Sequence, residues 1–182
     1  MKYIIASDIH GSLKYAECLF NAFEKEKADR ILLLGDLLYH GPRNDLPVGY
    51  DPKAVIELLN KNKEYILCVR GNCDTEVDQM VLDFPIMADY AILTCDKTVV
   101  YATHGHVFHE EHPPKLCRTL NNILLCGHTH VPKCVQKEGY IYMNPGSVSI
   151  PKEGSWHGYM IWDESGFVWK DMDGNVKLEY PM

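Results

Sequence analysis

Apolar runs that stop abruptly at an aspartate, asparagine or histidine recur five times in this chain, and no other feature constrains it as much. The plainest is Ile31-Leu32-Leu33-Leu34-Gly35-Asp36. Four branched aliphatics read as a buried strand, Gly35 allows a tight turn, and Asp36 sits where the strand ends. Residues 2–7 likewise deliver Asp8-Ile9-His10, residues 65–69 deliver Gly71-Asn72, residues 98–102 deliver His104, and residues 123–126 deliver Gly127-His128-Thr129-His130. In open α/β sheets, ligands gather outside the carboxyl ends of the strands. Any one of these pieces alone is an ordinary turn or helix cap. Five in order, each after an apolar strand, point to one site.

The intervening segments fit that scheme. Ser12 is placed to cap a helix in which Leu13, Ala16, Leu19, Phe20 and Phe23 recur at helical spacing. Asp51-Pro52 starts a second helix, with Ala54, Val55, Leu58 and Leu59 facing inward. A short helix is expected over 74–82. From Tyr90 the rhythm turns to strands: 91–93 and 98–102 joined by a turn at Cys95-Asp96-Lys97, then 123–126, 140–143, 158–162, 167–171 and 176–180. Helices alternating with strands early, and strands dominating late, suit an α/β (α+β) fold. Two packed sheets flanked by helices fit better than one doubly wound sheet, though periodicity leaves both open. No linker or repeat marks a second domain, so one domain over 1–182 is expected.

Charge and cysteine usage narrow the partners. The net charge of −7 argues against strong nucleic-acid binding and against an anionic membrane surface. No apolar run approaches the length of a membrane span. Seven cysteines, an odd number with no C-x-x-C and no secretory signal, suggest free thiols in a reduced cytoplasm.

The strand-end residues mix carboxylate, amide and imidazole, a set that suits Mn²⁺, Fe²⁺ or Zn²⁺. Asp8, His10, Asp36, Asn72, His104, His128 and His130 are more than one ion takes while leaving room for substrate; two ions sharing a carboxylate accommodate them. The spacing of Asp8-x-His10 and His128-x-His130 sets each pair on one side of an extended segment.

These residues resemble the motif series of the calcineurin-like metallophosphoesterases, and within that superfamily the small bacterial YfcE-type phosphodiesterases. The likeness extends to Gly41-Pro42-Arg43-Asn44, Gly71-Asn72-Cys73-Asp74 and Asn144-Pro145-Gly146-Ser147. It implies a four-layer α/β/β/α sandwich of two mixed sheets with two divalent ions, Mn²⁺ foremost, and hydrolysis of a phosphodiester by a metal-activated hydroxide. Carried over by position, Asp8, His10, Asp36 and His130 hold one ion, and Asp36, Asn72, His104 and His128 the other, with Asp36 bridging. Asp36, Asn72, Cys73 and His104 take the catalytic roles. Many members carry histidine where this chain has Cys73, which is either a proton donor or a buried structural cysteine, so substrates with good leaving groups are favoured. A homodimer is also implied.

Arg43 and His40, in the long loop after Asp36, and His106 are candidates for binding substrate. The alternative for Arg43 is ordering the loop or a dimer contact, and for His106 a metal contact through its backbone carbonyl. His109-Glu110-Glu111-His112 fails the zincin pattern, since its histidines are three apart and Pro113-Pro114 follows; a solvated loop is expected. Tyr140, Tyr142, Trp156, Tyr159, Trp162 and Trp169 read as strand-core residues, an exposed subset of which would offer a dimer surface. Two readings compete with a phosphodiesterase: a binding module such as the retromer scaffold subunit of similar fold, which missing ligands would favour, and a phosphomonoesterase or nucleotidase on the same centre.

Overall fold

The computed structural model describes residues 1–95, 97–116 and 121–182. Its first half winds β1 (Tyr3–Ala6), α1 (Leu13–Glu26), β2 (Arg30–Leu33), α2 (Pro52–Lys61), β3 (Ile66–Cys68) and the short α3 (Glu76–Val81). The second half is β4 (Tyr90–Cys95), β5 (Thr98–Thr103), β6 (Asn121–Leu125), β7 (Lys133–Lys137), β8 (Tyr140–Asn144), β9 (Gly158–Asp163), β10 (Gly166–Asp171) and β11 (Val176–Pro181). They form two mixed sheets, ordered β11-β10-β9-β1-β2-β3 and β4-β5-β6-β8-β7. This is the two-sheet α/β architecture expected from the sequence. The Cys95-Asp96-Lys97 turn includes a position outside the described residues, as does Cys117.

Alternation along the strands decides which face each side chain joins. In β1 and β2, Ile4, Ala6, Ile31 and Leu33 point to the helices, where they meet Ala16, Leu19 and Phe20 of α1 and Val55 and Leu59 of α2. Ile5 and Leu32 point the other way, into a core between the sheets with Val100, Ala102, Ile123, Leu125, Met143, Met160 and Trp162. The outer face of the second sheet carries a smaller cluster of Leu124, Cys126, Tyr140 and Tyr142, joined by Tyr101 and Leu116. Among the described residues its cover is the segment after β5 rather than an α-helix. The Tyr140 hydroxyl donates to the carbonyl of Glu110 there, and the Glu110 carboxylate pairs with Lys133 and Lys137 of β7.

The helix ends follow from local chemistry. Ser12 Oγ accepts from Tyr15 N, and Lys27 closes α1 in the left-handed region. Asp51 caps α2, with Pro52 in its first turn. Helix α3 starts later than expected: Thr75 and Asp78 form a capping box, and Asp74 is engaged elsewhere. Strand β7 was not foreseen. It is a half-buried edge strand, and its pairing with β8 supplies what its polar sequence does not announce. Five of the six late aromatics are buried, Trp156 being intermediate. Those five are core residues, which leaves Trp156 as the one member of the set with partial exposure. Among the described residues no helix is long and apolar enough to cross a membrane.

Glu26, at the end of α1, ties the helix to the first sheet. It accepts from Lys2, Lys170 and the Tyr159 hydroxyl. Burial works to raise its carboxyl, but Lys170 and Lys2 outweigh burial and hold it below its usual 4.5. The contribution to stability is therefore complete above pH 4.5 and is lost as pH falls through the depressed folded value. Glu26→Gln is expected to cost about 1–3 kcal/mol at neutral pH. Urea melts of the two proteins should converge as the pH is lowered; a gap independent of pH would exclude the ionic contribution.

Candidate metal centre

The parallel ladder of β1 and β2 does not stop where the strands do. Leu34 N donates to Ala6 O, Asp8 N to Gly35 O, His10 N to Asp36 O and Gly11 N to Leu37 O, at 2.8–3.1 Å. The two turns that carry Asp8, His10 and Asp36 are thus zipped together beyond the sheet. The third turn packs so closely that a Cβ on Gly71 would overlap Asp36, which leaves glycine as the residue that fits there. From the second sheet, Gly127 N donates to His104 O at 2.8 Å, and His128 N donates to Asp8 Oδ2 at 3.0 Å across the sandwich.

Five of the candidate ligands have left-handed backbones: Asp8 (φ 60), His10 (φ 49), Asp36 (φ 56), His128 (φ 67) and His130 (φ 63). The extended geometry expected for the Asp-x-His and His-x-His pairs is therefore incorrect. Each pair shares the site because both of its members turn left-handed. In the first pair the intervening Ile9 is buried against the helices. Such conformations cost on the order of 1 kcal/mol or more each and persist where surrounding structure over-determines them.

The imidazoles are aimed by backbone carbonyls. Nδ1 donates to Tyr39 O from His10 (2.7 Å), to Ile150 O from His130 (2.6 Å) and to Leu34 O from His104 (2.7 Å). A ring that donates from Nδ1 presents the lone pair of Nε2 to the cavity when neutral. Those lone pairs converge. His10 and His130 Nε2 lie 3.3 Å apart, and His104 Nε2 lies 3.0 Å from Asn72 Oδ1 and 3.2 Å from His128 Nδ1. Asp36 Oδ2 stands 3.7 Å from His10 and 3.4 Å from His104. Asp8 Oδ1 is 3.5 and 3.3 Å from His10 and His130 Nε2, yet is buried without a well-formed hydrogen bond. Acceptors facing acceptors at such distances repel unless a proton or a metal cation lies among them.

The electrostatics agree. Burial would raise the Asp8 and Asp36 carboxyls, but neighbouring histidines outweigh it and hold both low. His104 moves the opposite way. Burial opposes its charge, but Asp36 and Asp8 pull it up to about 9. Burial and the charge of His104 push His128 down to about 4. The cavity demands positive charge. Ligand atoms of Asp8, His10 and His130 lie within 4.8 Å of one another, as do those of Asp8, Asp36 and His104, so these residues fit divalent ions.

The remaining candidates sit around this cluster. Asn72 is exposed at its rim, and its Nδ2 donates to Cys73 Sγ at 3.3 Å. Burial and the Asp36 charge push the Cys73 thiol up to about 12. His106 is exposed, its ring 5.4 Å from that of His104. His40 packs edge-on against Tyr39 and Tyr50, and Arg43 is exposed on the same loop. His109 and His112 pair across a tight turn. A separate cavity of about 780 Å³ opens at the opposite end of the sandwich, where β5, β6 and β8 begin.

The sequence reads Asn144-Pro145-Gly146-Ser147 as a turn closing the site, but the holding roles of its residues, and those of Asp74 and Ser149, were missed. The Asp74 carboxylate, 1% exposed, accepts from Asp36 N, Leu37 N and Gly71 N at 2.7–2.9 Å. Ser147 and Ser149 hydroxyls both donate to Asp8 O, and Asn144 Nδ2 donates to Gly127 O. An aspartate directly before a helix that caps itself was the available signal for Asp74. Asp74→Asn puts an amide where three N–H groups converge on a carboxylate. It should cost about 1–3 kcal/mol of stability and weaken metal binding roughly 10–100-fold, read by thermal melts and calorimetry. Unchanged metal affinity would remove Asp74 from any positioning role.

Comparison with known proteins agrees with this geometry. A model of the calcineurin-like phosphoesterase superfamily domain matches residues 1–166. Phosphodiesterase YfcE of Escherichia coli K12 is 47% identical over 163 residues, spanning 90% of this chain and 88% of that protein. The solved structure of E. coli Yfce, described as a phosphoesterase, matches with a TM-score of 0.94 at 42% identity, covering 100% of this chain and 99% of that one. Vacuolar protein sorting 29 from Cryptosporidium parvum, 16% identical with a TM-score of 0.63 over 100% of this chain and 98% of its own, shares the fold. A strand-end cluster of this composition, on this fold, with these relatives, belongs to one family: the chain is a member of the calcineurin-like phosphoesterase superfamily.

Proposed function

We propose that this chain is a metal-dependent phosphodiesterase acting on a small phosphodiester. The observation that carries the reading is the convergence of imidazole nitrogens and carboxylate oxygens at the strand ends, with Asp8 Oδ1 buried among them without a well-formed hydrogen bond. In this reading Asp8, His10, Asp36 and His130 hold one divalent ion, and Asp36, Asn72, His104 and His128 a second, with Mn²⁺ preferred to Zn²⁺ or Fe²⁺. Such ions supply positive charge that polarises a phosphoryl oxygen and lowers the pKa of water.

The protein's own part is orientation. Carbonyls of Tyr39, Ile150 and Leu34 fix three rings, and Asp74 fixes the turn that carries Asp36. Asn72, at the rim, is placed to meet an incoming phosphate oxygen, with Arg43, His40 and His106 as further contacts. Cys73 keeps its proton through the neutral range, which makes it a weak acid, so substrates with good leaving groups are favoured. The full set of candidate ligands argues against a scaffold that has given up catalysis. A single domain over 1–182, a homodimer and a cytoplasmic location complete the proposal. The six described cysteines are all free, which supports a reduced compartment.

The test is hydrolysis of bis(p-nitrophenyl) phosphate against p-nitrophenyl phosphate by chelator-stripped protein, with Mn²⁺, Zn²⁺, Mg²⁺ or no metal. Mn²⁺-restored cleavage of the diester is expected. Preference for the monoester would favour a phosphatase, and no restored activity with any ion a scaffold. In calorimetry, Asp36→Asn should weaken both metal sites together, whereas His10→Ala and His104→Ala should each abolish one. Loss of a single ion in the Asp36 variant would contradict the bridge.

A further inference from the structure

We propose that β4 is the edge at which two copies of this chain meet, pairing antiparallel about a two-fold axis at Leu93 and joining their second sheets into one continuous sheet. The inference rests on the homodimer reading above and gives that dimer its surface; it draws on nothing in the metal centre. A sheet edge presents a row of unpaired N–H and C=O groups, and proteins that keep an edge single blunt it with short length, charge, proline or a bulge. Among the described residues, β3, β4, β7 and β11 are the edges of the two sheets. Three of them are blunted. β3 is three residues long, β7 begins and ends in lysine, and β11 carries Lys177, Glu179 and Pro181 and shifts register against β10 at a bulge. β4 has none of these devices. Its six residues, Tyr90–Cys95, are uncharged and pair with β5 in unbroken register.

The strand is also apolar on both faces. Ala91, Leu93 and Cys95 pack toward the core between the sheets, while Tyr90 and Ile92 stand outward and exposed, Ile92 opposite Tyr101 of β5. An edge so composed fits a second copy of itself. Antiparallel pairing about Leu93 sets Leu93 against its own copy, Ala91 against Cys95 and Ile92 against Thr94, so that inward faces meet inward and outward meet outward. The same register brings Asp89 of each copy to the hairpin end that carries Lys97 in the other. Both residues are exposed, and among the described residues neither enters an ion pair. Opposite charges across neighbouring strands favour pairing and like charges oppose it. The two-fold axis creates that match twice, once at each end of the joint, and this self-complementarity selects a second copy over an unrelated peptide.

Light scattering of the full chain after gel filtration tests this. The parent protein should run as a dimer or a multiple of one, and Ile92→Lys, which sets a charge on the exposed edge, at half the parent's mass with an unchanged circular dichroism spectrum. Hydrogen exchange gives a second readout: alternate amides of β4 should exchange slowly in the parent on both sides of the strand's pairing, and the outward-facing set quickly in Ile92→Lys. Reversal of the end charges gives a third. Asp89→Lys should weaken the dimer roughly tenfold, and adding Lys97→Asp should restore it. Should Ile92→Lys fail to fold, this pair of variants decides alone. A dimer with rapidly exchanging outward amides in β4, or one that Ile92→Lys and Asp89→Lys leave intact, would put the second copy on another face and overturn the inference while a homodimer stands. A monomeric parent would overturn both and leave the metal-dependent reading untouched.

Discussion

Two carboxylates, Asp8 and Asp36, are buried in one cavity, and among the described residues neither forms an ion pair with a lysine or arginine. Burial of one unpaired charge is costly, and of two like charges more so. Without a metal, the nearest compensation is His104, drawn up to about 9. The rest of the centre follows from that imbalance. Backbone carbonyls turn three imidazoles so that their free nitrogens face the acids. Asp74, itself buried, takes the N–H groups that would otherwise be unpaired behind Asp36.

The centre belongs to neither sheet alone. His128 N reaches Asp8 from the second sheet, and His104 reaches the Leu34 carbonyl of the first. Packing of Leu34, Val69, Val100, Leu125 and Met143 between the sheets therefore sets the distance between the two halves of the ligand set. Protein interiors are close-packed and transmit small changes in volume. A cavity opened in this inter-sheet core acts on metal geometry as well as on stability.

Much of this was legible because strand and ligand are adjacent in the chain. An apolar run ending in Asp36 or His104 marks both the core and the site edge, and five such endings define one sheet-end cluster. What was not legible depends on residues distant in sequence. Asp74 serves Asp36 and Leu37 from nearly forty positions away, and Ser147 and Ser149 hold Asp8 from the far half of the chain. The left-handed turns were equally hidden, since periodicity reports which face a residue takes and not the sign of φ. Strand β7 escaped for a different reason: an edge strand needs no continuous apolar signal.

The left-handed turns restrict the choice of ligand itself. Beyond glycine, the residues that enter this region most readily are asparagine, aspartate and histidine. Aspartate and histidine are also the types found at the five left-handed ligand positions. Glutamate offers the same carboxylate and cysteine a stronger metal bond, yet neither shares that backbone tolerance. The alphabet of the centre is thus written twice, once by affinity for the ion and once by the torsion each position must bear.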